Sequence, residues 1–137
     1  MEHYSEQIGH LIDGLELLLL KDQGSDQKKE ADHLLDALSR KKFLDDGKVR
    51  IFLLDERGRE YSSRQFAAEL RKLADQGVQR FVFVIGGAYG FPEELRTRFP
   101  LFSLSKMTFP HDLARLVLAE QVYRSLQINS GGKYHHD

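Results

Sequence analysis

Three short apolar runs stand out along the chain: Leu15–Leu20, Val49–Leu54 and Phe81–Ile85. Each is five or six residues long and gives way to Asp or Gly close by, a pattern that predicts β-strands. Leu101–Leu104 is a fourth, weaker candidate. Between the runs the spacing becomes helical. Ser25–Lys42 sets Ala31, Leu34, Leu35 and Leu38 on one stripe, and Ser63–Gln76 sets Phe66, Ala67, Leu70 and Leu73 on another. Ser62 and Gln65 have the spacing of a capping box, in which each side chain satisfies a backbone donor at a helix start. Pro92 followed by Glu93 and Glu94 is a second start signal, with a fixed φ and acids facing the positive end of the helix dipole.

The last predicted helix, from about Pro110 to Ile128, is apolar on several faces: Leu113, Leu116, Val117, Leu118, Ala119, Val122, Tyr123 and Leu126. Such a helix belongs in a core or an oligomer interface, and it would carry Arg115, Glu120 and Arg124 in with it. Strands alternating with helices predict an α/β fold, a parallel sheet flanked by helices on both faces. Ligands on such sheets bind beyond the carboxyl ends of the strands. Those ends are expected at residues 54–58, 86–90 and 104–108.

Composition narrows the class. With 137 residues, 41% of them hydrophobic and 30% charged, and with no repeat or low-complexity linker, the chain is expected to be a single domain over 1–137. It contains no Cys, so it has neither a disulfide framework nor a thiolate metal site, which fits a reducing compartment. The opening MEHYSEQIGHLIDG lacks a signal-peptide layout, and no apolar run reaches the ~20 residues of a membrane span. A cytoplasmic protein with no membrane partner is expected. The net charge of −1 hides an asymmetry. Residues 1–60 carry 10 Lys+Arg against 14 Asp+Glu, whereas residues 61–137 carry 10 against 7, so phosphate contacts are expected in the C-terminal half.

Several residues are candidates for chemistry, each with a plainer explanation beside it. The turn Gly86-Gly87-Ala88-Tyr89-Gly90 would let a ligand approach the backbone, yet it matches neither the dinucleotide fingerprint nor the P-loop, and a tight turn explains it equally. Asp55, at a strand end, could hold a metal, a ribose hydroxyl or a phosphoryl group, or simply end the strand. His111 and Arg115 share a helix face by their i, i+4 spacing, as do Glu120 and Arg124, the latter best explained as a buried ion pair. His135 and His136 lie in a Gly-rich tail without acidic or Cys neighbours that would make a metal motif, so no metal is expected. His3, His10 and His33 fall in polar, helical surroundings and read as surface residues.

Taken in order, LLDERGREYSS (53–63), FVFVIGGAYGF (81–91), LSKMTFPHDLARLVLAEQVYR (104–124) and the final YHHD (134–137) closely resemble the RlmH family, also called YbeA. The likeness is strong over residues 45–137 and looser over 4–44. The resemblance implies a SPOUT-class fold, an α/β knot with a C-terminal trefoil, one of the rare exceptions to unknotted chains. It also implies a homodimer that transfers a methyl group from S-adenosylmethionine to the N3 position of a pseudouridine in 23S rRNA, on free RNA or in the assembled ribosome. By resemblance, Leu54, Gly86, Leu104, Ser105, Lys106, Met107, Thr108 and Phe109 hold the cofactor. His111, Arg115, Tyr134 and His135 match catalytic or RNA-side positions. Helix 110–128 becomes the dimer interface.

Methyl transfer is an in-line displacement that needs an aligned, desolvated nucleophile more than a strong acid. The ring nitrogen must lose its proton, and His135 or His111 is the expected base, histidine being the side chain whose charge changes in the physiological range. Arg115 and Lys133 are expected to contact phosphate. The chain departs from the family pattern in two places. Family members open with an apolar strand and a Gly-Lys turn upstream of the point where this sequence starts, so the domain is expected to be N-terminally short. The tail usually reads Asn-x-Pro-Tyr-His, and here Gly131 and Lys133 replace the Asn and Pro.

Two alternatives stay open at this point. One is a receiver-like signalling domain with Asp55 as phosphoacceptor and Lys106 as its partner, although an acidic pair after the first strand is absent. The other is a catalytically inactive SPOUT protein that binds RNA without transferring a methyl group.

Overall fold

A computed structural model describes residues 15–19, 27–86 and 90–131. Among them are four strands, β1 (Leu15–Leu19), β2 (Val49–Glu60), β3 (Arg80–Ile85) and β4 (Leu101–Ser103). Four helices accompany them: α1 (Gln27–Arg40), α2 (Ser63–Asp75), α3 (Glu93–Arg98) and α4 (His111–Asn129). The strands form one parallel sheet in the order β1-β3-β2-β4. The α/β class and the parallel sheet therefore follow the sequence pattern. The trefoil knot is not visible among the described residues.

Central strand β3 is buried on both faces, as its unbroken apolar run requires in a parallel sheet. Its side chains alternate between two cores. Phe81, Phe83 and Ile85 join Phe52, Phe66, Leu70, Phe102, Leu118 and Val122 under α2 and α4. Val82 and Val84 join Leu34, Leu38, Ile51, Leu53, Phe91 and Leu95 under α1 and α3. The capping box at α2 forms in full: Ser62 Oγ accepts from the Gln65 N–H at 3.1 Å, and Gln65 Oε1 accepts from the Ser62 N–H at 2.9 Å. Across the α2–α4 contact, the Ser63 hydroxyl donates to Gln121 Oε1 at 2.7 Å and the Asn129 amide donates to the Ala67 carbonyl at 2.9 Å.

Two expectations change. Strand β2 does not stop at Leu54. It pairs with β4 at Leu53 and Leu54, leaves the register over residues 55–58, and pairs again at Arg59 and Glu60. A polar excursion followed by renewed pairing is a bulge, not a strand end. Gly58 makes it possible: a Cβ there would stand 2.6 Å from the Leu101 carbonyl carbon, closer than any side chain tolerates. The second change concerns α4. One of its faces, including Ala114, Leu118, Ala119, Val122 and Leu126, is buried against the sheet, but Leu113 and Leu116 are exposed, at 45% and 44%. The helix is therefore not swallowed by the core of one chain.

Candidate active site at the strand ends

The bulge of β2 and the carboxyl ends of β3 and β4 open into one cleft of about 1000 Å³. Its apolar walls are Leu54, Ile85, Phe91, Phe102, Leu104, Phe109 and Ala114, and its polar rim includes Asp55, Glu56, Arg57, Arg96, Ser105, Thr108, His111 and Asp112. A sheet whose strands all end on one side concentrates such a mixture there, because side chains and loop backbones converge beyond the last ladder bond.

Three local structures shape the cleft. The first is the β2 bulge. Asp55 Oδ1 accepts from the Arg57 N–H at 2.9 Å, and Asp55 Oδ2 accepts from Arg96 Nε at 2.7 Å. The second is the turn after β3. Gly86 lies against Phe91, whose Cζ is 2.9 Å from the place a Cβ would occupy, and Gly90 has φ +72°, which glycine adopts without strain. The third is the segment after β4. Ser103 Oγ donates to the Ser105 carbonyl at 2.8 Å, Ser105 Oγ accepts from the Met107 N–H at 3.0 Å, and Thr108 Oγ1 donates to Glu56 Oε2 at 2.8 Å.

Seven of the eight expected cofactor residues, Leu54, Gly86, Leu104, Ser105, Met107, Thr108 and Phe109, line this cleft. Lys106 is exposed and is not part of the lining. Of the expected catalytic residues, His111 lines the cleft from the first turn of α4. Arg115, one turn further along, does not. Its Nη2 sits 3.8 Å from Asp112 Oδ1, while its buried Nε has no hydrogen-bond partner among the described residues. Tyr134, His135, His136 and Lys133 lie outside the described residues, as do His3 and His10, and His33 is exposed on α1. Glu120 and Arg124 form a part-buried ion pair at 2.6 Å within α4.

Asp55 is not a free acid. Its side chain is 4% exposed and is held by Arg96 and the Arg57 amide, so its cationic partner is Arg96 and not the Lys106 of the receiver-like reading. Among the described residues no group of three or more His, Cys, Asp and Glu could hold a metal, and no helix is long and apolar enough to cross a membrane. Sequence reasoning missed Arg96 and Phe91 as parts of the cleft, whereas Glu56 falls within the strand end expected at residues 54–58. Nothing local marks Arg96 as the partner of a residue 41 positions away.

Comparison with known proteins gives the family. A family model described as predicted SPOUT methyltransferase matches residues 1–135, and the chain belongs to that family. A ribosomal RNA large subunit methyltransferase H from Christiangramia forsetii is 36% identical over 137 residues, covering 99% of this chain and 83% of the relative. The protein of the same name from Bacteroides thetaiotaomicron is 42% identical over 123 residues, covering 89% of this chain and 75% of the relative. The one from Geotalea daltonii is 51% identical over 89 residues, which covers 64% of this chain and 58% of the relative, so the match spans little more than half of that protein.

Proposed function

We propose that the chain transfers a methyl group from S-adenosylmethionine to large-subunit ribosomal RNA, at N3 of a pseudouridine in 23S rRNA, and that it works in the cytoplasm as a homodimer. The observation that carries this is the convergence of Leu54, Gly86, Leu104, Ser105, Met107, Thr108 and Phe109 on one cleft at the strand ends. The names of the relatives, each a ribosomal RNA large subunit methyltransferase H, support the RNA substrate.

The residues present suit the cofactor. Leu54, Ile85, Leu104 and Phe109 offer apolar surface to an adenine ring, and the backbone at Gly86 and along 104–108 offers groups to its polar edge. Glu56 and Asp112 bring carboxylates to the lining of a cleft for a ligand that carries a positive sulfonium. Bound there, S-adenosylmethionine would supply an activated methyl group.

The chain's own task is then alignment and proton removal. Phe91, Phe102 and Phe109 give the cleft apolar surface against which a bound donor would lose water, which favours displacement at a charged centre. The loop 104–108, braced by Ser103, Ser105 and the Thr108–Glu56 hydrogen bond, fixes the direction of approach. His111, which lines the cleft, is the first proposed base, an imidazole nitrogen accepting the N3 proton of the incoming nucleotide. His135 remains the second proposed base and Tyr134 a further catalytic contact. Arg115, with a buried donor unfilled among the described residues, is assigned to RNA phosphate together with Lys133. Lys106, exposed beside the cleft, keeps its proposed place at the cofactor through the loop that carries it. Exposed Leu113 and Leu116, one helical turn apart on α4, support a second copy on that face.

The experiment is transfer of labelled methyl from S-adenosylmethionine to ribosomes purified from cells lacking this modification, with the methylated nucleotide mapped. Label at N3 of a pseudouridine in 23S rRNA is the expected result. Cofactor binding without transfer would favour the inactive RNA-binding alternative.

A further inference from the structure

We propose that Asp55 and Arg96 form a positioning pair that fixes the β2 bulge against α3 at the methyl-donor cleft, an inference that rests on the cofactor assignment above. Their contact lies beyond the last β2–β3 register pair, Leu53 with Val84, and ties the β2 bulge to α3. Asp55 belongs to the β2 bulge and Arg96 to α3, which follows the turn after β3. Arg96 Nε donates to Asp55 Oδ2 at 2.7 Å, and the two side chains are 17% and 4% exposed. Asp55 Oδ1 is meanwhile occupied by the Arg57 N–H at 2.9 Å, so the carboxylate is fixed to its own bulge by one oxygen and to α3 by the other.

Arg96 also braces the turn itself. Its Nη2 lies 3.3 Å from the place a Cβ on Gly90 would occupy. Gly86, at the start of the same turn, rests on the ring of Phe91. Leu54 and Gly86, both assigned to the cofactor, follow directly on the β2–β3 ladder, and the Asp55–Arg96 contact fixes the bulge and the helix that flank them. A planar guanidinium fork suits this role because it gives direction as well as charge.

The pair is better suited to positioning than to global stability. The attraction between two charges of low exposure is largely offset by the loss of their hydration. Removing Arg96, by contrast, leaves the buried Asp55 carboxylate with the Arg57 N–H as its remaining contact, and removing Asp55 leaves Arg96 with Glu93 Oε2 at 3.9 Å. The exposed pair Arg40–Asp36, 3.0 Å apart on α1, has neither property and serves as a control.

The test measures S-adenosylmethionine affinity by calorimetry, unfolding midpoints, and backbone hydrogen exchange on the full chain and on Arg96→Ala, Arg96→Lys, Asp55→Asn, the double variant Asp55→Ala/Arg96→Ala, and Arg40→Ala. Arg96→Ala and Asp55→Asn are each expected to weaken affinity at least tenfold, and the double variant no more than the worse single. Arg96→Lys should recover part of the loss, and Arg40→Ala should bind as the unaltered chain does. Exchange should rise selectively at 54–58 and 86–91 in the Arg96 and Asp55 variants while α4 stays protected. Unaltered affinity in Arg96→Ala, or losses that multiply in the double variant, overturn the proposal. Should Arg96→Ala fail to fold, Asp55→Asn, which keeps the side-chain shape, decides in its place. If the unaltered chain binds no S-adenosylmethionine, the cofactor assignment fails, and exchange still decides whether the pair clamps the bulge to α3: unchanged exchange in both segments overturns the clamp by itself.

Discussion

Thr108 donates a hydrogen bond to Glu56 across 2.8 Å, tying the segment after β4 to the bulge of β2 although 52 positions separate them. Because Asp55, the neighbour of Glu56, is held by Arg96, consecutive acids of one bulge reach opposite walls of the cleft. The two attachments differ in strength, since the Asp55 contact is buried and the Glu56 contact is exposed. An exposed hydrogen bond to a charged acceptor contributes about 1 kcal/mol. Glu56→Ala should therefore weaken S-adenosylmethionine binding by about fivefold, with little change in unfolding midpoint, in a calorimetric titration run beside the unaltered chain.

Backbone crowding makes a graded prediction at three glycines. A Cβ at Gly58 would meet the backbone of Leu101 and Phe102 at 2.6 and 2.7 Å, and backbone cannot move aside cheaply. Gly58→Ala should destabilise the protein by about 3 kcal/mol, the upper end of overpacking costs. Gly86→Ala meets the Phe91 ring at 2.9 Å and should cost about 1–2 kcal/mol, because a side chain can shift. Gly47 has nothing within 4 Å, so Gly47→Ala should be neutral or slightly stabilising. Urea unfolding of the three variants checks the order.

The elements driven by local pattern were legible in the sequence. Apolar runs at residues 15, 49 and 81 begin strands there, and Ser62 with Gln65 starts α2 as the capping spacing requires. The exception is the end of β2. Asp55, Glu56, Arg57 and Gly58 carry turn chemistry, and only pairing of Arg59 and Glu60 with β4, a contact between distant segments, returns them to the sheet. The cleft followed the same division. Its location came from the rule for strand ends and most of its lining from the family pattern. Arg96 did not, because an arginine in a short helix looks like any solvated charge until Asp55 is seen beside it. Tyr134 and His135 lie outside the described residues, so their roles rest on the sequence alone.

The capping box at α2 gives a prediction independent of the cleft. Ser62 satisfies the Gln65 N–H, and Ser62→Ala leaves that donor to water. The loss should be about 1 kcal/mol, seen as a fall of a few degrees in Tm. Gln65→Ala should lose less, since it removes only the reciprocal bond to the exposed Ser62 N–H.

Leu113 and Leu116 on α4 decide the dimer assignment. Paired replacement by Glu adds two charges to an apolar face and should give a folded monomer, because neither side chain belongs to either core. Sedimentation at micromolar concentration, with far-UV circular dichroism on the same sample, distinguishes that outcome from misfolding. An unaltered association state in the double variant would place the interface elsewhere.

The most direct test of the account is calorimetric titration of the purified 137-residue chain with S-adenosylmethionine, after its fold has been checked by circular dichroism. Binding at one site per chain with a Kd in the micromolar range, lost in Gly86→Leu and weakened in Leu54→Ala, is the predicted result. A folded chain that takes up no S-adenosylmethionine at millimolar concentration would contradict the assignment of this cleft to a methyl donor.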